Sequence, residues 1–347
     1  MHRRRAFTLV ELLVVIALIG VLAALLLSAL SSAQQRARAT QTTATMEAFA
    51  AACETFFQDH GEYPGVVPDA LLFDIDNLDN NGVPRISSLE NALYHLMGGY
   101  IIANNSNDNA YQQFEGDEVV FSPTFRIKFA SNTEQIGNGP IIGGRQYPSY
   151  FTPPEGTLIK AFGQVGGGPN LLDITDAWGQ PLILLRKQRS IGLLPNNSNS
   201  NTDGNPSSWQ FRTEGIAPYV ESNNLGDLRR QQQFIDIPPT DPEEGQPSSV
   251  LSRAGDNQSS YNGNIGRLLA NSAIQDTSGF FAQARGAMLL ISSGPDGIYF
   301  STWDGPGSPS KPVFNWEDID GNEGNGLQPL TEAALREYDD ILRFIGS

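Results

Sequence analysis

Glu11 is a lone carboxylate at the start of a long apolar run that extends from Leu12 to Leu30. A carboxylate placed in a bilayer costs about 2.5–3.5 kcal/mol on insertion scales, so an ionisable residue in such a run is a candidate for function. Two interpretations are open. Either Glu11 lies at headgroup level and costs little, or it pairs with a positive group such as a newly formed N-terminal amine.

The apolar run predicts a helix that spans a membrane. About 20 residues suffice to cross about 30 Å of hydrocarbon, and after Glu11 no charged residue occurs before Arg36. Three arginines, Arg3 to Arg5, precede the run, and basic residues flank membrane helices on the cytoplasmic side. We therefore expect residues about 9–30 to span the membrane once, with the N-terminus in the cytoplasm.

The same helix is predicted to continue beyond the membrane. No proline occurs before Pro64, and Met46, Phe49 and Phe56 lie at spacings that place them on one face. The predicted helix therefore covers residues 7–59, with an apolar face in its second half that the following domain should bury.

The rest of the chain predicts a mixed α+β domain with long loops. Ser87 and Glu90 have the spacing of a capping box for a helix whose far side carries His95. Residues 125–129 alternate strictly between apolar and polar, which indicates a half-buried strand. Residues about 195–260 are rich in Asn, Pro and Ser and are predicted to be the least structured part of the chain, because such segments bury little apolar surface.

Composition excludes several classes of function. The 347-residue chain carries a net charge of −16, which argues against a basic nucleic-acid-binding surface. Its single cysteine, Cys53, excludes an intrachain disulfide, and it has only three histidines. No Gly-x-Ser-x-Gly elbow or pair of metal-spaced histidines occurs, so we do not expect an enzyme.

The segment from Arg3 to Glu11 resembles the N-terminus of type IV pilins and type II secretion pseudopilins. The resemblance implies that a prepilin peptidase cuts between Ala6 and Phe7 and methylates the new amine. It also implies that Glu11 pairs with the Phe7 amine of a neighbouring subunit. The family usually has Gly before the cut, where this chain has Ala6. An ordinary signal peptide or a simple membrane anchor are the alternatives.

Other stretches are similar to the major pseudopilin of type II secretion. They are Tyr63-Pro64, the turn 176–181 and the Ser-Ser-Gly-Pro-Asp-Gly sequence at 292–297. The resemblance implies an α+β fold in which the long N-terminal helix, membrane-spanning in its first half, packs on an antiparallel β-sheet of a pilin-type domain with large loop insertions. Because the family domain has no segment of this size there, the resemblance also implies that residues about 195–260 are one such insertion. It also implies a Ca²⁺ site.

The calcium ligands implied by the resemblance are Asp296, Asp339 and Asp340. The loop between the first of these and the other two is longer than in the family, so another of its aspartates could replace a ligand. These are Asp304, Asp318 and Asp320. From the residues alone, the same aspartates are solvated acids and a turn residue.

The resemblance thus divides the chain into a leader (1–6), a pilin helix (7–59) and an extracytoplasmic domain (60–347). It implies a structural subunit of a pilus or pseudopilus in type II secretion, anchored in the bacterial inner membrane and periplasmic or at the cell surface when assembled. Implied partners are the prepilin peptidase, other pilin or pseudopilin subunits and the inner-membrane secretion platform. The alternatives are an adhesive type IV pilus subunit and a membrane-anchored protein that binds a surface ligand.

The processing hypothesis can be tested by intact mass spectrometry of the membrane-extracted protein. We expect a mature chain that begins at N-methyl-Phe7, because Ala6 is a small residue that the peptidase can accommodate. A chain that begins at Met1, or one that begins after Ala33, would contradict the pilin-type interpretation.

Overall fold

The computed structural model describes most of the two ends of the chain and parts of its middle. The described residues are 9–68, 86–104, 107–122, 125–130, 135–160, 171–186, 268–269, 271, 285–301, 304–305 and 330–346. The predicted cleavage point between Ala6 and Phe7 and the predicted insertion at about 195–260 lie outside these residues.

Helix α1 is a single helix from Leu9 to His60, 52 residues long. At 1.5 Å per residue it measures about 80 Å. It ends at Gly61, whose backbone takes φ +72° and whose N–H donates to the carbonyl oxygen of Phe57 at 2.7 Å. Glycine adopts this left-handed conformation without a side-chain clash, which is why it commonly ends a helix.

The two halves of α1 have different surroundings. The large apolar side chains of its first half are exposed. They include Leu9, Val10, Leu12, Leu13, Val14, Val15, Ile16, Leu18, Ile19, Val21, Leu22, Leu26 and Leu30. In the second half Met46, Phe49, Cys53 and Phe56 are at most 1% exposed. The predicted apolar face is therefore the face that the domain covers.

No helix in the described part of the chain is both long and apolar enough to cross a membrane. The membrane span proposed for residues about 9–30 stays a prediction.

Helix α2 (Ser88–Met97) lies across the buried half of α1. Its predicted capping box is present, with Glu90 N–H donating to Ser87 Oγ at 3.0 Å and Ser87 N–H donating to Glu90 Oε2 at 2.6 Å. His95, on the far side of the helix, is buried. Its ring contacts Phe56 at 4.7 Å between centroids, and its Nδ1 accepts the Gly65 N–H at 2.8 Å.

The first sheet has three antiparallel strands in the order β1-β3-β2. These are β1 (Tyr100–Ala103), β2 (Asp117–Ser122) and β3 (Phe125–Phe129). The short helix α3 (Asn109–Gln113) connects β1 to β2. Ile127 and Phe129 of β3 are fully buried while its other side chains are half-buried, as the alternating sequence predicts.

Two small antiparallel pairs follow. Strand β4 (Ile141–Ile142) pairs with β5 (Arg145–Gln146), and β6 (Leu158–Lys160) pairs with β7 (Leu172–Ile174).

The second three-stranded sheet forms the centre of the domain. Its order is β10-β9-β8, all antiparallel, with β8 (Ile183–Arg186), β9 (Met288–Ser292) and β10 (Ile341–Ile345), and the short helix α4 (Glu332–Leu335) precedes β10. Side chains of this sheet share one core with α1 and α2; among them are Leu184, Leu290 and Ile345. The predicted α+β fold, a long N-terminal helix with antiparallel sheets, is confirmed.

Polar contacts fasten the chain where it leaves α1. The Arg186 guanidinium donates to the carbonyl oxygens of Pro64 and Tyr63. Asn91 of α2 pairs with the backbone of Val67 in both directions, at 2.8 and 3.1 Å. The exit segment is thus held to β8 and to α2 at the same time.

Replacing Phe56 tests whether α1 is part of the folding core. Phe56 is 0% exposed whereas its neighbour Phe57 is 40% exposed. Phe56→Ala should lower the free energy of unfolding by about 3–5 kcal/mol, the usual cost of a phenyl-sized cavity. Phe57→Ala should cost only about 1 kcal/mol, because it loses mainly a ring contact with Tyr63. Urea unfolding of the detergent-solubilised chain measures both; equal losses would contradict the assignment of the core.

Candidate functional site

The first candidate site is the turn that follows strand β9. Ser292 and Ser293 are buried, and the turn Gly294–Gly297 comes directly after them. Gly294 has φ +68°, and a Cβ atom there would lie 2.5 Å from the carbonyl oxygen of Asp339. Only glycine allows this approach, so the turn after β9 lies directly against the segment that leads into β10.

The pairing of β9 and β10 explains why distant residues meet here. Ser292, at the end of β9, is the register partner of Ile341, at the start of β10. Residues just after β9 therefore lie beside residues just before β10. This topology brings together Asp296, Asp339 and Asp304, each with one carboxylate oxygen within 4.8 Å of the others. We call these three residues the carboxylate cluster.

The cluster is electrostatically strained. Burial, followed by the charge of Asp339, raises the pKa of Asp296 to about 8. Burial, followed by the charge of Asp304, raises the pKa of Asp339 to about 7. Asp340 lies next to the cluster, and burial, followed by the charge of Asp339, raises its pKa well above the usual range. Like charges this close disfavour joint ionisation unless a cation compensates them.

Several carboxylate oxygens at this position have no hydrogen-bond donor among the described residues. They are buried and belong to Asp304 (Oδ2), Asp339 (Oδ1) and Asp340 (Oδ1). Two other carboxylate oxygens at this position are hydrogen-bonded. Asp340 Oδ2 accepts the Phe300 N–H at 2.8 Å, and Asp296 Oδ1 accepts the Ile298 N–H at 2.8 Å. Buried polar atoms are normally paired. Of these oxygens, those of Asp304 and Asp339 belong to the carboxylate cluster, where they lack a donor among the described residues and could serve as cation ligands.

The donor set is chemically uniform. It consists of carboxylate oxygens, with no histidine or cysteine in the group. Hard cations such as Ca²⁺ prefer such oxygen ligands, whereas structural Zn²⁺ sites are built mainly from Cys and His. The residues present therefore fit a calcium ion.

The three aspartates predicted as calcium ligands do not all lie in the carboxylate cluster. Asp296 and Asp339 belong to the cluster, with Asp304 as its third member; Asp340 is adjacent but outside it. Asp318 and Asp320 lie outside the described residues. The sequence offered three aspartates in the long loop and no spacing rule to select Asp304, since β-strand pairing, not local sequence, sets its position.

The second candidate site is the exposed half of α1. Glu11 lies in the first turn of the helix and is exposed, between apolar neighbours that are also exposed, such as Val10 at 67% and Leu12 at 58%. An acidic residue in a first turn is stabilised by the helix dipole. A contiguous apolar surface of this length marks a site of contact with a membrane or with other proteins.

Comparisons with known proteins agree with the N-terminal observations. Residues 1–27 match the family described as "Prokaryotic N-terminal methylation motif". The chain is 37% identical over 116 residues to the "Fimbrial protein" of Neisseria meningitidis serogroup B (strain ATCC BAA-335 / MC58), a match over 33% of this chain. It covers 64% of that relative, so the chain spans less than two thirds of the relative's own length. No solved structure matches the chain.

The motif and the fimbrial similarity support the family resemblance of the sequence. Neither distinguishes the secretion pseudopilins from the other pilin-like proteins. The chain thus carries a prokaryotic N-terminal methylation motif and is similar, over a third of its length, to a fimbrial protein, which supports a type IV pilin-like protein.

Proposed function

We propose that this protein is a structural subunit of a pilus or pseudopilus fibre that polymerises through α1. The observation that carries the proposal is the division of one continuous helix into a covered half and a bare half. Phe49 and Phe56 are 0% exposed, whereas Leu9 is 78% and Leu26 is 69% exposed. A bare apolar surface of this kind needs a partner, because its burial contributes roughly 25 cal/mol per Å².

Two partners can cover that surface at successive stages. Before assembly, lipid covers residues about 9–30, with Arg3 to Arg5 keeping the N-terminus in the cytoplasm. After a prepilin peptidase has removed residues 1–6, the bare halves of neighbouring α1 helices cover one another in the core of the fibre. The assembled form is then periplasmic or at the cell surface.

Glu11 would act as the assembly residue. Inside a bundle of apolar helices its carboxylate requires a cationic partner, because an isolated buried charge is very unfavourable. The methylated amine of Phe7 in a neighbouring subunit supplies that charge. The pairing exists only between subunits, so it would stabilise a new helix only at the correct axial position in the fibre.

Among fibre-forming subunits, we favour a pseudopilin of type II secretion, with the inner-membrane secretion platform as a further partner. The support is the Ser-Ser-Gly-Pro-Asp-Gly turn together with the carboxylate cluster beside it. In this proposal the cluster binds Ca²⁺ through Asp296, Asp304 and Asp339. The ion would neutralise their charge and link the turn after β9 to the start of β10.

The test of the fibre proposal is electron microscopy of cells that overexpress the chain together with a prepilin peptidase. Fibres that disappear when the gene is deleted support it. A processed protein that stays dispersed in the membrane would favour a membrane-anchored binding protein instead.

Replacing Glu11 tests the charge-pair mechanism. Glu11→Leu should insert into the membrane at least as well as the wild type, since it removes a charge from an apolar segment. It should nevertheless form few or no fibres, because the neighbouring amine is left without a partner. Val10→Leu, an apolar exchange one residue away, serves as the control and should assemble normally. Normal fibres from Glu11→Leu would show that the pairing is not required.

Thermal unfolding tests the calcium site. Calcium at a hundredfold excess over its Kd stabilises a folded protein by about 2.7 kcal/mol, which corresponds to several degrees in the unfolding midpoint of a chain of this size. Chelator should remove the increase. Asp296→Ala and Asp339→Ala should each abolish most of it, whereas Glu337→Ala, an exposed carboxylate two residues away, should retain it. A metal-free wild-type protein whose midpoint ignores calcium would refute the site.

A further inference from the structure

Phe300 has an unusual backbone for its residue type. Its φ is +51°, and among the described residues it is the only one other than glycine with a positive φ. A bulky side chain disfavours this left-handed region. The ring is nevertheless 0% exposed, so the conformation is fixed inside the protein and not at a free surface.

The position of Phe300 along the chain makes its conformation important for the cluster. It lies four residues after Asp296 and four residues before Asp304. The backbone direction at Phe300 therefore decides whether these two carboxylates reach the same point as Asp339. Strained residues of this kind persist only where the surrounding structure determines them, and they concentrate at functional sites.

Two contacts from the segment before β10 hold Phe300. Its N–H donates to Asp340 Oδ2 at 2.8 Å, and its ring meets Tyr338 edge-on at 5.3 Å between centroids. Gly305 packs so closely against the Tyr338 ring that a side chain at position 305 would overlap the ring. The segment 294–301 is thus fastened at Phe300 to residues 338–340.

Asp340 both contacts Phe300 and is adjacent in sequence to Asp339, a member of the carboxylate cluster. One of its oxygens accepts the Phe300 N–H, while the other, Oδ1, is buried without a donor among the described residues. Its neighbour in sequence, Asp339, is a cluster member, but Asp340 is not. The two adjacent aspartates therefore differ in their contacts: Asp339 belongs to the carboxylate cluster, and Asp340 binds the backbone of Phe300.

We propose that Asp340 is a positioning residue for the calcium site and not one of its ligands. It holds Phe300 in the left-handed conformation, and this directs Asp296 and Asp304 towards Asp339. The inference rests on the calcium site proposed above, and it assigns to Asp340 a role different from the ligand role implied by the family resemblance.

The test is isothermal titration of the detergent-solubilised full chain with CaCl₂, comparing substitutions of the two adjacent aspartates. Asp340→Asn keeps an oxygen that accepts the Phe300 N–H, so it should weaken calcium binding at least tenfold less than Asp339→Asn does. Asp340→Ala loses the acceptor and should weaken binding by about 10–100-fold, the range found for residues that orient metal ligands. Equal losses for Asp340→Asn and Asp339→Asn would overturn the proposal.

The Phe300→Gly background tests whether Asp340 acts by holding the backbone conformation at position 300. Glycine adopts positive φ without a side-chain penalty, so Phe300→Gly should make the acceptor at position 340 less necessary. The loss caused by Asp340→Ala should be markedly smaller in the Phe300→Gly background than in the wild type. An undiminished loss would overturn the proposal. If Asp340→Ala does not fold, the comparison of Asp340→Asn with Asp339→Asn decides alone.

Hydrogen exchange separates this proposal from the calcium site itself. If the folded wild type shows no heat of binding, the calcium proposal fails. The contact can still be judged in the metal-free protein, where Asp340→Ala should speed amide exchange in peptides covering 294–305, while Asp340→Asn and Glu337→Ala should not. Unchanged exchange in Asp340→Ala would refute the fastening of Phe300 by Asp340.

Discussion

The structure depends on the packing of the second half of α1 against α2 and the β8–β9–β10 sheet. Phe49 and Phe56 are fully buried in this contact, and Phe49 also meets Phe151 edge-on at 5.4 Å. The first 30 residues or so of the helix lack this cover, so the two halves of α1 differ in their surroundings. The buried half belongs to the fold of one molecule, and the large apolar side chains described in the bare half are exposed.

Two aspartates near Ser292, Asp176 and Asp339, differ in how their carboxylate oxygens are hydrogen-bonded. Asp176 accepts the N–H groups of Trp178 and Gln180 at 2.9 Å and the Ser292 hydroxyl at 2.8 Å. It is satisfied within the protein and needs no ion. The cluster around Asp339 retains buried oxygens without donors among the described residues. Burial together with the neighbouring negative charges raises the pKa of both Asp296 and Asp339.

Features encoded locally could be predicted from the sequence. The extent of α1 follows from the absence of proline before Pro64 and from apolar spacing, and the start of α2 follows from the Ser87–Glu90 capping box. Strand β3 follows from its alternation. In each case the signal is a pattern within a single helix or strand, where side chains return to the same face every three to four residues or every two.

Features that depend on tertiary contacts could not be predicted in this way. The sequence placed His95 on the other side of α2 but gave no sign that Gly65 and Phe56 contact it in the folded chain. Arg186 gave no signal that it would bind the carbonyl oxygen of Pro64. Asp304 reaches Asp339 only because β9 and β10 are paired neighbours. These contacts join residues tens to more than a hundred positions apart, and no local period encodes them.

The way the domain is attached to α1 has a mechanical consequence. The contact extends along the helix from Thr42, which accepts the Ala177 N–H at 3.0 Å, to His60, whose ring contacts Tyr150 at 3.1 Å between Nε2 and the hydroxyl oxygen. In a fibre assembled through α1, tension along the axis would load these contacts in shear. All of them would have to yield together, as parallel bonds do, and not one after another as in peeling. A domain carried in this way resists being stripped from its helix by axial force.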